Sequence, residues 1–482
     1  MATSIKRNYA YNVSYQIFSL IAPLITAPYI ARVLGPENIG ILTFAATVIS
    51  YFNMFGSLNV NLFGSRELAY FKDDIDKKSE IFWNILFLKI FNLILTLVVL
   101  YGWLYFSNLD YKYLFYIESL LIISNIIDFT WVFQAHENFK YITIRNFINK
   151  IASIILIFSF VKNSEDLWKY ALINVGTTLV LNISLIPYLK NYIKIKKPHI
   201  KESFKLFPGI VKVFLPTISI SIYSMLDKLM LGILSTSTEL GYYEYSQKIM
   251  NMSLVLITSI TPIMMVRMSN SFKSESMEEV KNYFFKSFKF ATFLSFFIFS
   301  IIFSISTSFI PWFFGENFSA AGLLTRIISP IIIAISLGTT AGHQFLLSIG
   351  KENLLTLGVL VGAVVNPILN FVLIPRYNAL GAAISSVVAE ISVTIALYLF
   401  VSRFVNIKYL FKKNWFYFLF SFLSILCALG IEKAITNNVI TFILQGLTVS
   451  IIYILLAYIF DGEIRNVLKN YLNRFFHILN KK

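Results

Sequence analysis

Long apolar runs separated by short polar segments set the rhythm of this chain. A helix needs about 20 mostly apolar residues to cross roughly 30 Å of hydrocarbon. By that measure the sequence predicts membrane spans near 10–31, 39–62, 81–106, 113–134, 142–161, 168–188, 207–234, 241–266, 288–314, 323–348, 353–375, 379–402, 415–431 and 438–460. The expectation is an all-α polytopic membrane protein of about 14 helices. The first span follows Lys6 and Arg7, but it exceeds signal-peptide length and is interrupted by Asn12, Gln16, Pro23 and Pro28, so it reads as a retained helix.

Composition agrees with this pattern. Of 482 residues, 57% are hydrophobic, 17% aromatic and only 14% charged, where soluble domains carry about 25% charged residues. With a mean hydropathy of +0.70, a water-soluble enzyme is excluded. The single cysteine, Cys427, excludes a disulfide framework and a cysteine zinc site. The net charge of +16 fits membrane topology better than nucleic-acid binding. With the N-terminus inside, inner segments hold about 29 Lys and Arg and outer loops about 6. Both termini are therefore expected in the cytoplasm.

An internal repeat organises the spans. The turn Leu34-Gly35-Pro36-Glu37-Asn38-Ile39-Gly40 has a counterpart at 234–241, each ending in an apolar residue and a glycine that open the next helix. Beyond it, Thr43, Thr47, Ser50 and Ser57 recur as Glu244, Lys248, Asn251 and Thr258. This predicts two pseudo-symmetric six-helix lobes in parallel repeat: 1–195, a basic linker 196–206, and 207–403. Two further helices (404–460) and an amphipathic inner-leaflet tail (461–482) follow.

Polar stripes mark a candidate cavity. Asn12, Gln16, Ser19 and Thr26 in the first span, and Thr217, Ser221, Ser224 and Lys228 in the seventh, share helical faces. Polar groups facing lipid would go unsatisfied, so these faces line either helix contacts or a water-filled cleft. Ionisable residues inside spans are costlier, at about 2.5 to 3.5 kcal/mol each at a helix centre. In the first lobe these are Lys89, Asp128, Arg145 and Lys150, with Asp128 able to pair with either Arg145 or Lys150. In the second they are Asp227 and Lys228, facing Glu244 and Lys248 across a hairpin, with Arg326 and Glu390 deeper along the chain. Neutralising pairs and ligand contacts both remain open here, and Glu390 has Asn366 and Asn370 as alternative partners.

No phosphate loop, H-E-x-x-H or G-x-S-x-G constellation occurs, the four histidines are scattered, and no loop has room for a folded catalytic domain. No enzyme chemistry, metal or cofactor is expected.

The opening residues Asn8-Tyr9-Ala10-Tyr11-Asn12, followed by Ala27-Pro28-Tyr29-Ile30-Ala31-Arg32-Val33-Leu34-Gly35-Pro36, resemble the start of the Wzx-type polysaccharide repeat-unit flippases. These belong to the multidrug/oligosaccharidyl-lipid/polysaccharide exporter superfamily. The resemblance implies two six-helix lobes in a V with two C-terminal helices, located in the bacterial cytoplasmic membrane. It also implies translocation of an undecaprenyl-diphosphate-linked oligosaccharide, a capsule, O-antigen or teichoic-acid precursor, from inner to outer leaflet. Lipid II flippases carry several arginines in the first helix; this chain has none between Arg7 and Arg32.

Charge complementarity then makes Lys89, Arg145, Lys150, Lys228, Lys248 and Arg326 the candidates for the diphosphate. Gln16, Thr43 and Ser221 are the glycan candidates. Asp128, Asp227 and Glu390 are the carboxylates available for proton or sodium coupling. The protein is expected to act as a monomer among membrane lipids. An ion-coupled multidrug antiporter of the same superfamily is the alternative function, and a membrane-embedded enzyme of lipid-glycan assembly a weaker one.

Overall fold

The computed structural model describes residues 2–274, 276–435 and 437–466; the side chains of 2–21, 139–140 and 215–224 lie outside that description. The described residues form helices joined by turns and short loops, with no strand among them. In chain order the first half holds α1 (Ala2–Ser57), α2 (Val60–Tyr70), α3 (Ile75–Phe106), α4 (Lys112–Ile126), α5 (Thr130–Ala135), α6 (Phe139–Phe160), α7 (Leu167–Ile183), α8 (Ile186–Leu189) and α9 (Ile200–Leu234). The second half holds α10 (Ser237–Thr258), α11 (Thr261–Lys273), α12 (Met277–Phe314), α13 (Ser319–Ile328), α14 (Ile331–Thr339), α15 (Glu352–Val401), α16 (Ile407–Asn414), α17 (Phe416–Ala434) and α18 (Asn438–Phe460). A π-helical turn, Thr340–Leu346, continues α14.

The protein is a multi-pass membrane protein. Ten helices among the described residues are long and apolar enough to cross a bilayer, and an eleventh arises if the pair bent by 44° at residues 329–330 is one span. The expected number was about 14, and the difference has a physical origin. Two expected spans lie in each of α1 and α15, which run on through a sharp reversal instead of a loop. At the first reversal Gly35 takes φ 74°, and Pro36, lacking an amide hydrogen, opens the next helix. At the second, Asn378 takes φ 52°, a left-handed conformation that asparagine tolerates better than most residues. The expected seventh span falls on α9, which includes residues 215–224.

Four other spans are broken midway. Three breaks are followed at once by proline: Pro187 in α8, Pro262 in α11 and Pro330 ahead of α14. Each proline removes a donor from the helix ladder, so the interruption is local in origin. The fourth, between α4 and α5, has no proline.

The chain divides into two compact units, Met1–Gly241 and Tyr242–Lys482. In the first, α9 packs on α1, α2 and α3, and the basic segment before it is docked. The Lys194 amide donates to Ser79 Oγ at 2.9 Å, Trp83 Nε1 donates to the Lys194 carbonyl at 3.0 Å, and the His199 amide donates to Asn84 Oδ1 at 2.7 Å. Beneath them lies a core of Phe82, Trp131, Phe133 and Ile193, with Phe82 stacked on Trp131 at 5.3 Å.

The two copies of the repeated turn meet within this unit. A Cβ on Gly40 would fall 1.6 Å from the Ser237 carbonyl oxygen, and one on Gly241 would fall 2.0 Å from that of Pro36. Only glycine permits this reciprocal backbone approach.

In the second unit α12 is the central element, packed by α13, α14, α17 and α18. Its start is fixed by the Ser276 hydroxyl, which accepts from the Glu279 amide, and by Glu278 and Glu279 in the first turn. The expected amphipathic tail lies mostly outside the described residues, which end at 466.

Candidate functional site

In the first unit, the break between α4 and α5 brings together two of the intramembrane charges, Lys89 and Asp128. Ending α4 at Ile126 frees main-chain groups inside a membrane-length span, and side chains satisfy them. Fully buried Lys89 on α3 does so, donating to the Asp128 carbonyl at 3.0 Å and to Asn61 Oδ1 at 3.0 Å. The cation thereby also complements the negative end of the α4 dipole. On the other side of the break, the Asp128 carboxylate accepts from the Thr130 amide at 3.0 Å and the Thr130 hydroxyl at 2.7 Å, tying down the first turn of α5. Asn61 Nδ2 closes the ring, donating to the other Asp128 oxygen at 2.8 Å.

Lys89 and Asp128 are thus brought together through Asn61, and each carries one side of a broken helix. Sequence reasoning missed Asn61. Its signal was an amide near the end of an apolar span. Further asparagines work alike. Asn92 donates to the carbonyls of Phe55 and Gly56 at the end of α1, and Asn182 donates to the Ser124 carbonyl and hydroxyl near the end of α4.

Helix α6 carries the other two cations of this unit. Arg145 donates to the Leu181 carbonyl on α7 at 2.9 Å. Lys150 is half-buried and has no hydrogen bond or ion pair among the described residues. Its α6 neighbours Asn146 and Asn149 extend the polar surface around the helix, and Asn146 Oδ1 is buried without a partner. A half-buried ammonium with adjacent amides suits a phosphate oxygen.

Elsewhere in the unit, Asp227 is buried on α9, within electrostatic reach of Tyr51 on α1. Lys228 and Thr43 are half-buried on α9 and α1. The side chains of Gln16 and Ser221 lie outside the described residues. Two adjoining apolar cavities sit beside α3, of about 440 and 270 Å³, sharing Asn92 and Leu95 in their linings. Tyr51, Phe52 and Phe55 wall the first; Phe91, Phe204 and Phe207 wall the second.

In the second unit, Arg326 on α13 is held by protein groups. Its Nε donates to the Phe303 carbonyl at 2.9 Å, and one terminal nitrogen reaches the Thr307 hydroxyl and the Glu432 carboxylate, each at 2.8 Å. Thr307 donates in turn to the other Glu432 oxygen at 2.9 Å, and the guanidinium lies over the Phe303 ring. Glu432, on α17, was not among the residues singled out from sequence. Lys248 sits 4.4 Å over the Tyr245 ring. Glu390 is half-buried in the second half of α15, whose first half carries Asn370 donating to Asn366 at 3.0 Å. Among the described residues, no cluster of three or more potential metal ligands occurs.

This architecture is similar to that of solved transporters. The lipid II flippase MurJ, in an inward closed conformation, matches with a TM-score of 0.77 at 16% identity, covering 95% of this chain and 99% of that one. At the sequence level, a protein of Escherichia coli (strain K12) provisionally named as an O-antigen transporter is 28% identical over 408 residues, 83% of this chain and 97% of its own length. The capsular polysaccharide biosynthesis protein CapF of Staphylococcus aureus is 24% identical over 415 residues, 82% of this chain and 99% of its own. Residues 5–266, more than half of the chain, match the polysaccharide biosynthesis protein family, and with the turn motif, the broken spans and the flippase-like fold in place, the chain belongs to that family.

Proposed function

We propose that this chain is a transporter, not an enzyme, that carries an undecaprenyl-diphosphate-linked oligosaccharide from the inner to the outer leaflet by alternating access. The observation that carries the reading is its near full-length likeness to proteins named for O-antigen transport and capsule synthesis. Physical chemistry fits the task. A diphosphate bearing several sugars cannot cross hydrocarbon unaided, and a polar surface inside the bundle shelters it while the lipid tail stays among apolar groups.

In this reading Lys150, with Arg145, meets the diphosphate, because Lys150 has neither a hydrogen bond nor an ion pair to protein groups among the described residues, whereas Lys89 is held by Asn61 and the Asp128 carbonyl. The apolar cavities beside α3 suit the isoprenoid tail. Asp227 and Glu390 are the carboxylates we assign to ion coupling, Asp128 being engaged in the helix break. Lobes 1–195 and 207–403, joined by 196–206, form the moving parts of the cycle. We place the protein in the cytoplasmic membrane as a monomer with both termini inside, supported by the charge asymmetry of its loops.

The test is leaflet-resolved transport by the purified protein in proteoliposomes, using a fluorescent undecaprenyl-diphosphate oligosaccharide and an external quencher, with and without a proton or sodium gradient. Protein-dependent flipping is expected, slowed about tenfold in Lys150→Gln, the order of one lost charge-assisted contact, with an unchanged melting temperature. Absence of flipping together with gradient-driven efflux of cationic dyes would replace this reading with a multidrug antiporter.

A further inference from the structure

A polar cavity of about 180 Å³ lies in the second unit between the first turns of α12, the short helix α16 and the segment after α18. Lys286 and Lys289 from α12, Lys413 from α16 and Glu463 from the final segment line it, with Asn282 and Asn414. Lys289 is neutralised within the protein, 2.8 Å from Asp461 and 3.0 Å from Glu463. Among the described residues, Lys286 and Lys413 have no carboxylate within ion-pair distance. Three ammonium groups against two carboxylates leave one net positive charge, which matches the single negative charge of a phosphodiester better than the near-double charge of a phosphomonoester.

The asparagine adds a second, independent observation. Asn414 is 5% exposed; its amide nitrogen donates to the Leu410 carbonyl, while its Oδ1 is buried with no hydrogen-bond partner. An unmatched buried acceptor calls for a donor, and a hydroxylated headgroup supplies one.

Position selects the source. Helix α16 is an eight-residue link between spans, with Tyr409, Phe411 and Trp415 exposed around it and Lys408, Lys412 and Lys413 beside them. Exposed aromatics with lysines at the ends of spans mark the level of lipid headgroups, where basic pockets between helices hold anionic lipid.

We propose that this cavity is a binding site for the phosphodiester of an anionic glycerophospholipid with a hydroxylated headgroup, held by Lys286 and Lys413 with Asn414 accepting from the headgroup hydroxyl. Bound there, the lipid bridges α12 and α16. The site is separate from the transport residues proposed above, and it stands or falls independently of them.

The experiment uses the full chain, delipidated in detergent, and reads the melting temperature and native mass spectra on addition of phosphatidylglycerol. The lipid is expected to raise the melting temperature and remain bound, and K286Q/K413Q to weaken its apparent affinity about thirtyfold. K408Q/K412Q, which removes the same charge beside the cavity, is expected to bind normally. The proposal is overturned if phosphatidylcholine stabilises equally, if inorganic phosphate alone reproduces the shift, or if the two double variants lose binding alike. Should K286Q/K413Q not fold, Lys413→Gln alone decides the matter: it must weaken phosphatidylglycerol more than Lys412→Gln does.

Discussion

The two units treat buried charge differently. In the first, Lys89 and Asp128 mend a break in one membrane span, with Asn61 on α2 and the first turn of α5 as their partners. In the second, ionic contacts join elements far apart in sequence. Arg326 reaches Glu432, 106 positions away on α17, and Lys289 reaches Asp461, 172 positions away beyond α18. One arrangement replaces missing backbone hydrogen bonds, and the other ties the last two spans to the body of the second unit. A charge inside a span therefore does not by itself announce a ligand: Lys89 and Arg326 are both held by protein groups, whereas Lys150 has no such partner among the described residues.

The contrast can be broken most severely at Lys89. Replacing it by Met leaves two acceptors, the Asp128 carbonyl and Asn61 Oδ1, without their buried donor, which should cost about 2–6 kcal/mol at about 1–3 kcal/mol for each unsatisfied group. Denaturation in detergent or bicelles would register it; a loss under about 1 kcal/mol would mean that water reaches the break and that our account of it is wrong. Glu432→Ala should do less, about 1.5–3 kcal/mol, because Arg326 keeps its carbonyl partners and both side chains are partly exposed. Its signature is loosening confined to α17 and α18 by hydrogen exchange, and uniform loosening of the first unit would contradict the tether.

The smallest effect concerns Asp461. Burial acts to raise its carboxyl, but hydrogen bonds from Lys289 and Tyr417 outweigh it and hold the group below the usual carboxylate value. A lowered folded value stabilises the protein above the unfolded value, near 3.9, and that contribution is lost as pH falls through the folded value. Wild type should therefore melt above Asp461→Asn at neutral pH, with the gap closing below about pH 4. A gap that stays constant with pH would show that the pair contributes through packing alone.

Much of the fold was legible before any coordinates. Apolar run length placed each expected span on a helix or a broken pair of helices, but the breaks before Pro187, Pro262 and Pro330 were not foreseen, since Pro23, Pro28, Pro311, Pro367 and Pro375 sit inside helices without ending them. Gly35-Pro36, within the repeated turn, did announce the first reversal. The fourth break was not legible: nothing local in Ile126 to Phe129 ends a helix, and the groups that hold it come from α2 and α3. The count of separate helices also differed, since two reversals are tight enough for helix to continue on both sides. Among the candidate residues, sequence named Lys89, Asp128 and Arg326 as charges needing partners, but Asn61, Thr307 and Glu432 went unnamed. A neutral amide or hydroxyl in a span has no charge penalty to mark it, and Glu432 sits near a helix end where a carboxylate is ordinary.

By itself, then, the sequence determined what depends on transfer from water to hydrocarbon and on backbone chemistry: a membrane protein, the position of its spans and the repeated turn. Tertiary structure alone decided which charges are engaged by other protein groups. The reason is physical. Hydrophobic burial and backbone sterics act residue by residue and leave a periodic trace, whereas a hydrogen-bonded charge is satisfied by whichever group folding brings within about 3 Å, wherever that group lies in the chain.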